Sequence, residues 1–160
     1  MAHDRSGTGP WAWIKVVGSQ GAEMNADWRQ NEQHLLSNVW FTRHPRSLRA
    51  GDVLVYYAAV WGRLVALMTL ESDSDEARDN SSDPNDGRWR WSLPVRPVVT
   101  LPMKAGPTLT DVSIDPPRLR RKSHLLLSAD EYMRIRDLMW ERASVVTSAD
   151  ASGTRELNGA

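Results

Sequence analysis

The sequence predicts an α+β fold built on a small closed barrel packed by helices. Three observations carry that expectation. Val53 to Ala59 and Leu64 to Leu70 are two nearly continuous apolar runs joined by Trp61-Gly62-Arg63, so both faces of the sheet they form are covered. Arg88-Trp89-Arg90-Trp91-Ser92-Leu93 alternates polar and apolar, as a half-buried strand does. Ser128-Ala129-Asp130-Glu131 has the spacing of a capping box and opens a helix.

The remaining elements follow in order. Residues 1–10 are small, polar and charged and read as a disordered lead. Trp11 to Val17 is aromatic and β-branched, reads as a strand, and ends at Gly18. Asp27 is placed to cap a short helix running to about Leu36. Val39 to Thr42 is short and apolar, and His44-Pro45 breaks regular structure. Residues 71–87 read as a polar, acidic, mobile loop. The strand from Arg88 continues to Leu101, with Pro94 and Pro97 indicating an edge or a bulge. Residues 102–117 form a Pro-rich connector. A strand then leads into the final helix, expected to end near Arg142 with Tyr132, Ile135, Leu138 and Met139 on one face. The domain is thus expected over residues 11–143, with 144–160 as a disordered tail.

At 160 residues the chain fits one domain with a full core. It has no cysteine, which excludes disulfides, iron–sulfur clusters and thiolate zinc sites. No apolar run reaches the roughly 18 residues needed to cross a bilayer, and the opening residues carry no apolar secretory core. The expected location is cytoplasmic. The four histidines are scattered, with no metal, nucleophile or phosphate-loop motif around them. No catalytic residue, metal or cofactor is expected.

The charges are balanced, 20 basic against 20 acidic, yet polarised along the chain. Residues 71–87 hold seven acidic residues and one basic, whereas 88–122 hold eight basic and two acidic. The acidic segment either folds over the basic one or leaves it open to phosphate. The basic candidates for a phosphate backbone are Arg43, Arg88, Arg90, Arg120, Arg121 and Lys122, since a guanidinium fork binds two oxygens at once.

Eight tryptophans against one phenylalanine are the other unusual feature. Trp13, Trp89 and Trp91 fall on strand patterns and are expected in the core, with Trp140 capping the barrel. Trp28, Trp40 and Trp61 fall in loops or at element ends, where an aromatic ring can stack on a flat ligand. Stacking a base on such a ring is worth ~1–3 kcal/mol. A methylated base adds apolar contact and, where charged, a cation–π term.

Four stretches, taken in order, resemble the EVE domain of the PUA-like superfamily, which also contains the YTH and ASCH domains. They are Trp13-Ile14-Lys15, the segment from Arg46-Ser47-Leu48-Arg49-Ala50-Gly51-Asp52 to Tyr57, Trp91-Ser92-Leu93-Pro94-Val95-Arg96-Pro97, and Arg121-Lys122-Ser123-His124-Leu125 with Ser128 to Tyr132. Together they span roughly residues 11–140. Ser37-Asn38-Val39-Trp40 resembles the YTH stretch that supplies a cage tryptophan, and Arg121 and Ser123 match an Arg-x-Ser before the last helix. Two stretches depart from the family pattern: Val16-Val17-Gly18 stands where Ser-Glu-Pro is usual, and Trp40 to Pro45 replaces an Asn-Tyr-x-Ala-Arg-Asn run.

The resemblance implies a mixed β-barrel of five to six strands flanked by helices, and a non-enzymatic module that reads a modified nucleobase in DNA or RNA. The base would stack on Trp40 and Trp61, with Trp28 beside them. Its edge would be read from residues 18–25, including Ser19 and Asn25, and from Ser123. Two alternatives stay open: general RNA binding without readout of a modification, and a small-ligand or protein interaction domain. The oligomeric state is left open.

Overall fold

Seven strands and three α-helices form a curled mixed sheet in the computed structural model, which describes residues 10–81 and 89–158. The strands are β1 (Ala12–Val17), β2 (Asn38–Phe41), β3 (Val53–Ala58), β4 (Arg63–Leu70), β5 (Arg78–Asp79), β6 (Trp91–Thr100) and β7 (His124–Leu126). The helices are α1 (Trp28–Asn31), α2 (His34–Ser37) and α3 (Ala129–Asn158). The sheet runs β2-β6-β4-β3-β1-β7, and β5 adds to β6. Only β1 and β3 run parallel among the described pairs, with Lys15 opposite Tyr56. This is the small α+β barrel flanked by helices that the sequence predicts, but curled rather than closed: among the described residues the strands number seven and no β2–β7 pairing joins the two ends.

Burial explains the continuous apolar runs. Along β3, Leu54 and Tyr56 point into one core while Val55 points into another. Along β1, Trp13 and Val17 share the first core and Ile14 lies in the second. The first core fills the curl of the sheet with Phe41, Leu48, Met68 and Leu93. The second lies on the outer face and packs Ile135 and Met139 of α3 against Leu67, Val99 and Leu125. A strand covered on both sides has no reason to alternate.

The capping box forms as its spacing predicts. Ser128 Oγ accepts the Glu131 N–H at 3.2 Å, and Glu131 Oε1 accepts the Ser128 N–H at 3.0 Å. Glu131 also pairs with Arg118 in the connector before β7. The guanidinium, then the capping N–H, hold its carboxyl down at about 2.

Several boundaries differ from the sequence reading. The helix expected from Asp27 to Leu36 divides into α1 and α2, because Glu32 closes α1 with φ −130°. The strand expected from Arg88 begins at Trp91. Pro97 sits where the β4–β6 register shifts, so it marks a bulge, and β6 is an inner strand rather than an edge. Helix α3 continues to Asn158, through the segment expected to be a tail. Trp140, expected to cap the barrel, is 49% exposed.

The acidic segment is organised where it is described. Ser74–Glu76 form a 3₁₀ turn, Ser74 Oγ accepts the Leu48 N–H, and β5 pairs with β6. Residues 1–9 of the expected lead (1–10), the end of the acidic segment (82–87) and Arg88 lie outside the described residues. No helix among the described residues is long and apolar enough to cross a membrane.

Candidate functional site

A cavity of about 290 Å³ opens at one end of the barrel. That is near the lower bound of the roughly 300–1,000 Å³ typical of small-molecule sites, a size for one small planar group. β1 contributes Lys15 and Val17, and the turn after it contributes Gly18, Ala22 and Met24. Glu32 comes from the cap that closes α1, His34 and Leu35 from α2, Val39 and Trp40 from β2, Tyr56 from β3, and Trp89 from the chain entering β6.

Local sequence shapes the wall. Gly18 has φ +80°, and a Cβ there would meet the Ala22 carbonyl oxygen at 3.1 Å and the Met24 nitrogen at 3.3 Å. Only glycine lets β1 turn that sharply into the loop. The loop closes on itself through paired hydrogen bonds between Ser19 and Ala22. Tyr56 spans the core and donates its hydroxyl to the Leu35 carbonyl at 2.8 Å, fixing α2 against the barrel.

The tryptophans sort by what their indole N–H meets. Trp13 donates to Asp52 Oδ2, Trp28 to the Leu101 carbonyl and Trp61 to the Met24 carbonyl. Trp40 Nε1 is buried and has no acceptor. Buried indole N–H groups are ordinarily satisfied, so Trp40 is held by packing alone.

Of the residues expected to touch a base, Trp40 alone lines the cavity. Trp28 is wholly buried, its ring neighbour is Tyr56 at a tilt of 59°, and it belongs to the core. Trp61 stands outside, 43% exposed, and braces the cavity wall by its 2.7 Å bond to Met24. Ser19 lies in the wall's turn with a buried hydroxyl that has no partner. Asn25 is a local cap: its Oδ1 accepts from Asp27 N and Asn31 Nδ2. Ser123 is exposed, and its carbonyl takes the Val16 N–H beside the cavity end of β1.

Trp89 and Trp91, expected in the core, part company. Trp89 is half-buried and lines the cavity. Trp91 packs edge-on against His44 at 4.6 Å, under the Arg90 guanidinium.

Among the basic residues, Arg90 is engaged. Its Nε and Nη2 donate to both oxygens of Asp79 at 3.1 and 3.0 Å, and this holds the Asp79 carboxyl well below the usual range. The acidic segment therefore does fold over this part of the basic one. Arg43, Arg120, Arg121 and Lys122 are exposed. The last three precede Ser123, at the end of the sheet where the cavity opens.

Lys15 is the site residue that residue-type reasoning passed over. It is 2% exposed, shares the inward face of β1 with Trp13 and Val17, and reaches the cavity. Its Nζ donates to the Val16 carbonyl at 2.6 Å and lies 4.9 Å from the Phe41 ring centroid and 5.8 Å from that of Trp89. Burial pulls its pKa down to about 7. The signal was available: a lysine between Trp13 and Val17 breaks an otherwise apolar strand face.

No protein-family model matches the chain, and no curated protein does. Solved structures do. A hypothetical protein from Leishmania major aligns with TM-score 0.56 and 16% identity, over 83% of this chain and 96% of its own. A protein from Agrobacterium tumefaciens aligns with TM-score 0.51 and 16% identity, over 78% and 90%. The YTH domain of a Zygosaccharomyces rouxii protein, in complex with N6-methyladenosine RNA, aligns with TM-score 0.51 and 12% identity, over 87% and 90%. The chain is thus similar in fold to a YTH domain: a small α+β barrel flanked by helices.

Proposed function

We propose that this protein is a non-enzymatic nucleic-acid-binding module that holds one modified base in the cavity at the end of its barrel. The observation that carries the reading is the cavity itself, sized for one planar group and lined by Trp40 and Trp89 over an apolar floor of Val17, Met24, Leu35 and Val39. The similarity to a YTH domain solved with methylated RNA supports it. Within the PUA-like superfamily we favour the EVE branch, on the order of the four matching stretches, and a cytoplasmic location.

The energetics are sufficient. Extruding a base costs a few kcal/mol. Stacking returns ~1–3 kcal/mol per aromatic contact, and each hydrogen bond to the ring edge adds about 0.5–1.5 kcal/mol. Arg120, Arg121 and Lys122 at the open end would hold the phosphates, with Arg43 as a further candidate.

The test is titration with single-stranded DNA and RNA oligonucleotides of one sequence, unmodified or carrying one N6-methyladenine or one 5-methylcytosine. A modified strand should bind at least tenfold tighter than its unmodified partner, and Trp40→Ala should abolish the difference. Equal or absent binding across all strands, unchanged in Trp40→Ala, removes the reading.

A further inference from the structure

We infer that the cavity selects a flat ring that is neutral or anionic and presents an acceptor to Lys15, and that it excludes a ring bearing a fixed positive charge. This rests on the base-binding reading and names the chemical class of base. An aromatic-lined pocket is by itself well suited to a cationic ring, because the π faces attract positive charge. Here that attraction is already taken up. The Lys15 ammonium lies over Phe41 and within 5.8 Å of the Trp89 centroid, from inside the barrel. A second cation seated against Trp89 would face the first across a poorly screened interior, where like charges repel strongly.

The other charged groups around the cavity do not reverse this. Glu32 lies at the rim, only partly buried, with its carboxylate accepting the Asn25 N–H. His34 is exposed at the same rim. His124, opposite Lys15 on β7, has its pKa lowered, first by burial and then by the Lys15 charge, so it adds no carboxylate-like partner for a cation. Among the described residues no carboxylate salt-bridges Lys15, whose ammonium has three N–H donors and spends one on the Val16 carbonyl. The remaining donors call for an acceptor: a ring carbonyl, an unprotonated ring nitrogen or a carboxylate substituent. A lysine buried without a carboxylate is costly to keep, and a ligand acceptor supplies the partner that the fold withholds.

The experiment uses the full chain at pH 6 and two pairs of single-stranded oligonucleotides. N6-methyladenine is set against its isomer 1-methyladenine, which is cationic, and 5-carboxylcytosine against cationic 3-methylcytosine. In at least one pair the neutral or anionic member should bind ten times tighter or more, and in Lys15→Met that ratio should fall below three. Lys15→Gln repeats the comparison with a polar side chain. Cationic strands bound as tightly as their partners by the wild-type protein overturn the inference and leave base binding standing. A ratio that persists in both variants also overturns it, since Lys15 is then not its source. No binding by any strand overturns both readings together.

Discussion

Trp13 Nε1 donates to Asp52 Oδ2 at 3.1 Å, joining two residues 39 positions apart. The same carboxylate accepts the Trp11 N–H at 3.0 Å and the Arg49 N–H at 3.1 Å. One buried side chain therefore ties the start of β1 to the turn before β3 and fixes the parallel pair on which Lys15 stands. Asp52→Ala strands these donors, each worth about 1–3 kcal/mol when buried and unpaired. The expected loss is at least ~3 kcal/mol, or roughly 6–12 °C in Tm for a chain of this size. Thermal unfolding followed by circular dichroism measures it; a drop under 2 °C would show that the carboxylate is dispensable.

Lys15 makes stability depend on pH in a known direction. Burial lowers its pKa from 10.5 in the open chain to about 7 in the fold. Between those values the unfolded chain binds more protons than the folded one, so stability rises with pH across that window. The cost of burying the charge is fully present below about pH 7 and is gone above about pH 10.5. Lys15→Met should therefore be more stable than wild type at pH 6.5, with the gap closing by pH 10. Burial and then the Lys15 charge lower the pKa of His124, so the closing of the gap is read from about pH 7.5 to pH 10, where that imidazole is neutral in both proteins. A gap independent of pH would refute the assignment.

Trp61 and Trp89 should separate cleanly. Trp61→Phe removes the bond to the Met24 carbonyl, a cost of about 1 kcal/mol, and should change oligonucleotide affinity less than threefold. Trp89→Ala removes a lining ring and should weaken binding by at least fivefold. The reverse ranking, read by fluorescence anisotropy, would move the site from the cavity to the outer turn at Trp61.

Salt dependence tests the basic residues. Replacing Arg120, Arg121 and Lys122 with Gln should lower the slope of log K against log salt by about 2 to 3. Arg90→Gln should leave that slope nearly unchanged, because Asp79 already occupies its fork. A large effect of Arg90→Gln would mean that phosphate displaces Asp79.

The strands were legible because their apolar content follows from two-sided burial, and the capping box because it is purely local. Trp28 and Trp61 were harder to place. Position at an element end suggested exposure, yet the N–H of Trp28 meets Leu101 across 73 residues, a contact no local pattern encodes. Trp89 looked interior from its alternation with Arg88 and Arg90, but pairing with β2 begins only at Trp91. Arg90 looked available because Asp79 lies 11 positions away, in a segment whose composition gives no hint of a strand. Lys15 was visible in the opening motif but carried no role until the cavity gave it one.

The bidentate clasp between Arg90 and Asp79 has an effect well beyond β6. It neutralises Arg90 on that flank, while Arg120, Arg121 and Lys122 stay exposed at the barrel's open end. A molecule with no net charge thereby acquires a facing direction, and a passing polyanion would be drawn to the end where the hollow opens.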